Sequence, residues 1–180
     1  MKQFQRRLAL CSAVAAILLS LPVRGSAQAN GATTVLHASE AAKLLPDAVY
    51  YDGKSASTQL RNSAGVHFAD GAYALAVLVD TSGYSSEVQQ KYQGYLLTET
   101  SLEFGTHRLS PGAYGFGFVA GRFVITDIGA HDVFEAEGSR ESQMARPVPL
   151  QIIESSSGHG FQLCSGRDCV AFHRGAPPAR

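Results

Sequence analysis

Tryptophan is absent from this chain and cysteine occurs only three times. The first absence weighs against a sugar-stacking surface, for which the indole ring is the usual platform. The second excludes a cysteine-dense scaffold. No G-x-S-x-G elbow, H-x-x-x-H or H-x-H pair, calcium-loop spacing or glycine-rich phosphate loop leading into a helix is present. The common hydrolase, zinc, calcium and nucleotide signatures are therefore missing, and no cofactor or metal is expected. Long apolar runs are missing too once Leu21 is passed. Most β-prone runs also fall short of the roughly 9 to 11 residues of a membrane-barrel strand.

The first 29 residues carry the clearest positive signal. Lys2, Arg6 and Arg7 precede an apolar run from Leu8 to Leu21, and Ala27-Gln28-Ala29 supplies a small-x-small cleavage site. This pattern predicts a secretory signal peptide over 1–29 and export to the periplasm or beyond. Pro22, Arg24 and Gly25 interrupt the run before the roughly 20 apolar residues a retained anchor needs, so no transmembrane segment is expected once the signal is removed. Cys11 follows Leu10 inside the run and is no lipidation site, and Arg6-Arg7 alone does not make a twin-arginine signal.

Cleavage changes the charge. The 15 basic and 15 acidic residues balance in the full chain, but Lys2, Arg6, Arg7 and Arg24 leave with the signal, so 11 − 15 gives −4. Without a basic stripe to displace counterions from phosphates, nucleic acid is not an expected partner, nor is an anionic membrane surface. About 150 residues remain, the size of one domain. We read 30–173 as a single β-rich domain and 174–180 as a flexible tail.

Cys164 and Cys169 are then the remaining cysteines, flanking Ser165-Gly166-Arg167-Asp168. A hairpin with that four-residue loop sets them opposite each other, which predicts a structural disulfide in an oxidising compartment.

From Val49 to His173 short β-prone runs alternate with glycine-containing turns. Expected strands include Thr58–Arg61, Val66–Phe68, Tyr73–Val79, Leu102–Phe104 and Tyr114–Val119. Asp52-Gly53, Ala64-Gly65, Phe104-Gly105, Pro111-Gly112 and Ala120-Gly121 read as turns, Pro111-Gly112 as the centre of a type II turn. Asn30–Thr34 reads as loose and Gly138–Ala145 as an exposed loop. Two short helices are expected. One is capped by Ser39 and ended by Pro46; the other follows Ser85 or Ser86 to Tyr92, with Glu87 and Lys91 spaced as an i,i+4 pair. The fold class is mainly β, an antiparallel sandwich or small barrel with one or two short helices.

The Leu109-Ser110-Pro111-Gly112-Ala113-Tyr114 hairpin, the Gln59-Leu60-Arg61-Asn62 run and the stretch from Ala76 to Tyr84 resemble small exported bacterial proteins of an uncharacterised, domain-of-unknown-function type. The likeness covers roughly Val49 to His173, and it implies location and β architecture only.

Candidate chemistry is sparse. Asp80-Thr81-Ser82-Gly83 resembles the D-T-G loop of retroviral-type aspartic proteases, but Ser82 is inserted, and Ile128-Gly129-Ala130-His131-Asp132 is one residue too long for the later signature. Asp80, His131 and Asp132 are the candidate catalytic residues of a hydrolase reading, aspartic-protease-like or metal-assisted. His67 with Asp70, and Asp127 with His131 and Asp132, are the densest groups of metal-ligand side chains. Tyr114, Phe116 and Phe118 alternate with Gly115 and Gly117 and project to one face, either as a core stripe or as a ligand-binding surface. The favoured reading is an exported, non-enzymatic β domain that binds a small apolar ligand or an envelope partner.

Overall fold

A computed structural model of the protein describes residues 31–155, 158 and 160–176. The signal peptide expected at 1–29 and the end of the tail expected at 174–180 lie outside the described residues. In chain order the elements are β1 (Thr34–Leu36), α1 (Ala38–Ala41), β2 (Ala48–Tyr51), β3 (Lys54–His67), β4 (Tyr73–Val79), α2 (Ser86–Lys91) and β5 (Gly94–Thr98). There follow β6 (Leu102–Phe104), β7 (His107–Leu109), β8 (Gly112–Val119), β9 (Arg122–Thr126), β10 (Asp132–Glu137), β11 (Ser139–Arg140), β12 (Gln151–Glu154), β13 (Phe161–Ser165) and β14 (Asp168–Arg174).

These strands form two antiparallel sheets. The first runs β1-β3-β4-β5-β8-β9-β10 with β2 paired to β3, and the second runs β12-β13-β14-β6-β7 with β11 paired to β14. Neither closes on itself among the described residues, so of the two expected architectures the molecule is a sandwich. Its interior is filled. Val66, Phe116, Phe123 and Ile125 of the first sheet meet Leu102, Phe104, Leu163 and Phe172 of the second in one cluster. Phe104 lies 5.3 Å from Phe123 and 5.6 Å from Phe172 between ring centroids. Each such side chain contributes about 1.5–3 kcal/mol through burial.

The local signals hold where the chemistry is local. Asp52-Gly53 and Ala120-Gly121 have positive φ at both positions (46° and 73°, 51° and 81°), the conformation of two-residue type I′ hairpin loops. Ser85 caps α2 by accepting a bond from the Val88 N–H at 3.4 Å. Cys164 stands opposite Cys169 with Cα atoms 4.1 Å apart and the sulfurs joined in a disulfide. The loop between them is tighter than expected, because Ser165 already pairs with Asp168.

Several expectations are corrected. Thr34 belongs to β1, which pairs Thr34–Leu36 with Gly65–His67. Ala64-Gly65 is no turn: β3 runs through it, and a Cβ on Gly65 would stand 2.7 Å from Leu75 Cδ2 and 3.1 Å from the Ala74 carbonyl, so the Leu75 side chain would have to shift. Pro111-Gly112 does not close a hairpin. β7 ends in the second sheet and β8 begins in the first, so this dipeptide is a sheet-to-sheet crossover, with Gly112 already paired to Thr98. His37, not Ser39, precedes α1, its N–H donating to Glu40 Oε2 at 3.1 Å. Lys91 bypasses Glu87 and pairs with Asp132 at 2.7 Å. The Gly138–Ala145 stretch contains β11 and is held by Arg167, whose Nη1 donates to the carbonyls of Ser142 (2.8 Å) and Met144 (2.7 Å).

Candidate functional site

The catalytic candidates are each engaged separately. Asp80 accepts the Ser82 N–H at 3.0 Å in an Asx turn, and this bond holds its carboxyl below the usual range. His131 folds back on Asp127, with Nδ1 3.0 Å from Oδ2 and its N–H donating to Oδ1 at 2.9 Å. That backbone bond is the main reason the Asp127 carboxyl is also lowered. Asp132 takes Lys91. Asp80 follows β4 and Asp132 opens β10, four strand spacings away through β5, β8 and β9, about 19 Å along the sheet. No hydrogen bond or ion pair joins Asp80 to the other two among the described residues. Of the metal-ligand groups, His67 stacks on Tyr73 at 4.4 Å and Asp70 pairs with Arg174. No cluster of three or more such side chains is placed to hold a metal among the described residues. No helix there is long and apolar enough to cross a membrane.

The aromatic stripe of β8 faces the interior. Phe116 is fully buried, and Tyr114 and Phe118 pack against the same cluster. On the opposite face the glycines admit the protein's own elements. A Cβ on Gly117 would stand 2.6 Å from the Lys91 carbonyl of α2, and one on Gly115 would stand 2.6 Å from Tyr51. A tyrosine cluster fills this side: Tyr51 stacks on Tyr92 at 3.6 Å, Tyr84 meets both edge-on, and Tyr51 Oη lies 2.7 Å from Thr126 Oγ1. The Tyr92 hydroxyl is buried without a partner among the described residues. Burial pushes the phenols of Tyr51, Tyr84 and Tyr92 upward. The three rings are buried and pack against one another.

Open clefts lie where the edges of the two sheets meet. One, of about 420 Å³, is lined by Phe104–His107 of the second sheet and by Arg122 and Glu135–Glu137 of the first. In this cleft Arg122 pairs with Glu135 at 2.7 Å, and His107 stacks on the neighbouring Phe134 at 4.9 Å.

A second cleft, of about 410 Å³, lies between β3 and β12. An irregularity in β3 creates it. Gln59 pairs with Leu78 and Ser63 with Val77, so four steps along β3 match one along β4 and three residues, Leu60, Arg61 and Asn62, are extruded. Ser63 Oγ donates to the Leu60 carbonyl at 2.6 Å, and Asn62 Nδ2 donates to Gln59 Oε1 at 2.9 Å. Leu60 packs under α1 against the cluster of Ala41, Leu45, Leu75 and Val77. With both neighbours of the apex tied down, Arg61 stands exposed, and no ion pair or hydrogen bond engages its guanidinium among the described residues. Bulges commonly re-aim a side chain in this way.

Leu36, Ala64, Leu150 and Ile152 supply the apolar wall of this cleft, and His37, Arg61 and Asn62 line its polar side. No carboxylate lines it. That contrasts with the described chain as a whole, where 15 acidic residues face 10 basic ones. Sequence reasoning missed this site. The available signal is the Gln59, Arg61 and Asn62 side chains, which interrupt an otherwise β-prone stretch where the sequence predicts a plain strand over Thr58–Arg61. Comparison with protein-family models, curated proteins and solved structures finds no match to this chain, so the resemblance to exported bacterial proteins gains no support from it.

Proposed function

We propose that the protein is an exported, non-enzymatic binding module whose cleft between β3 and β12 receives a predominantly apolar ligand or partner segment bearing an anionic group. The observation that carries this reading is Arg61, held unpaired by the β3 bulge at a cleft with apolar walls and no carboxylate. The cleft volume falls within the usual range for ligand sites. In such a site the apolar surface supplies affinity and one well-placed charge supplies orientation. Export is supported by the leader pattern at 1–29 and by the bridged cysteines, which suit an oxidising compartment. The hydrolase reading has no comparable support, since Asp80, His131 and Asp132 are each committed to other partners.

Amide-resolved NMR titration of the full chain with simple apolar carboxylates and with short acidic, apolar-rich peptides tests this function. Shifts should concentrate on Leu36–Ala38, Arg61–Ala64 and Val148–Ile153, and Arg61→Ala should weaken them. No saturable shift at these residues with any probe would overturn the reading.

A further inference from the structure

We infer that the occupant of this cleft is an extended peptide segment of a partner protein, which adds to the free edge of β12 and places a carboxylate on Arg61. The inference rests on the binding-module reading above and names the ligand class of that same site. Its first support is the phase of the β12 ladder. Cys164 and Cys169 face each other with Cα atoms 4.1 Å apart, the spacing of a non-hydrogen-bonded antiparallel pair. The Cys164 main chain therefore turns toward β12, where it meets Gln151. Alternation makes Ile153–Gln162 the next bonded pair, and the bond from Ser155 N–H to the Gly160 carbonyl at 3.0 Å keeps the same phase. The N–H and C=O of Ile152 and Glu154 consequently point away from β13. β12 is the terminal strand of its sheet, so nothing in the ladder pairs with them. Ile152 lines the cleft. A peptide main chain supplies the matching donors and acceptors, which a plain apolar ligand does not.

Charge supplies the second support. Across the cleft β1 ends at Leu36, opposite Gly65, and leaves Arg61–Ala64 without a strand on that edge. Arg61 stands there without a counter-ion in a lining free of carboxylates. A guanidinium in that setting favours a carboxylate, from an acidic side chain or a chain terminus, through paired N–H···O bonds. The length of the segment is limited as well. β12 itself spans only Gln151–Glu154, so recognition is confined to the few residues opposite Ile152–Glu154. A second copy of this chain fits less well, because two β12 edges brought together would also bring two Arg61 side chains to one seam.

The test is selection from a displayed random heptapeptide library on the immobilised full chain, repeated on Arg61→Glu, with decanoate as a small-molecule control. Circular dichroism and the thermal midpoint establish that the variant is folded. Peptides recovered on the native protein should alternate apolar residues and share an acidic residue. A synthetic representative should perturb the Ile152 and Glu154 amides and slow their hydrogen exchange. On Arg61→Glu it should bind at least tenfold more weakly, and the selection should turn to basic residues. An acidic preference that is identical on Arg61→Glu, enrichment of peptides that perturb other surfaces, or self-association through β12 would overturn the inference. Decanoate shifting the cleft amides while no peptide does would overturn it and leave the binding-module reading standing. Failure of both probes would remove both.

Discussion

At the scale of single residues, two positions carry a cost that substitution can expose. Tyr92 buries a hydroxyl with no partner among the described residues while its ring stacks on Tyr51. An unsatisfied buried hydroxyl costs about 1–3 kcal/mol, so Tyr92→Phe should be neutral or stabilising by up to about 1 kcal/mol in urea unfolding. Tyr51→Phe should cost about 1 kcal/mol, because it strands the buried Thr126 hydroxyl. Ala120 is the second position, with φ of 51° in the region that favours glycine. Ala120→Gly relieves that strain against the greater freedom of glycine in the unfolded chain, for a net gain of up to about 1 kcal/mol. The same tyrosines set an alkaline limit. Burial raises the phenols of Tyr51, Tyr84 and Tyr92 above the ordinary value of 10.0. Unfolded tyrosines then lose protons before folded ones, so stability is intact below about pH 10 and falls as pH rises beyond it. The urea midpoint should be clearly lower at pH 11 than at pH 9, and Tyr92→Phe should lessen the difference.

The elements show what sequence can reveal and what it cannot. Asp52-Gly53, Ala120-Gly121 and the Ser85 cap were readable because a few adjacent residues determine them. The bulge at Leu60-Arg61-Asn62 was not, because its determinants are distant in sequence: Leu60 packs beneath α1, and Val77 and Leu78 set the register it interrupts. Pro111-Gly112 looked like a hairpin centre for a related reason, since nothing local says that β7 and β8 belong to different sheets. The cysteine spacing did reveal its hairpin, but not that the hairpin organises its surroundings. Its turn places Arg167 on the Ser142 and Met144 carbonyls, and the Gly166 N–H donates to the Val148 carbonyl at 3.1 Å, beside the cleft wall. Replacing both cysteines with serine should cost about 2 kcal/mol, the low end for a short closed loop. Arg167→Ala should act more locally, speeding amide exchange over Glu141–Met144 with a smaller effect on global stability, as hydrogen exchange and urea titration would show.

At the scale of the whole molecule, the two sheets share one apolar interior, and the clefts lie at the seams where their edges meet. This arrangement separates the two readings of the Tyr114–Phe118 stripe. A ligand-binding surface tolerates truncation, because removal of a partly solvated ring costs the fold little. A ring filling the space between the sheets does not. Phe116 is fully buried, 5.8 Å from Phe123, and Phe123 in turn lies 5.3 Å from Phe104 on the opposing sheet. Phe116→Ala should therefore lower stability by about 3–5 kcal/mol, the range for emptying a packed aromatic site. Because both sheets draw on this cluster, far-ultraviolet circular dichroism and tyrosine fluorescence should report a single coincident unfolding transition in the native protein and in the variant. Two separated transitions would mean that each sheet has an independent source of stability, and a loss below about 1 kcal/mol would return the stripe to the ligand-binding reading.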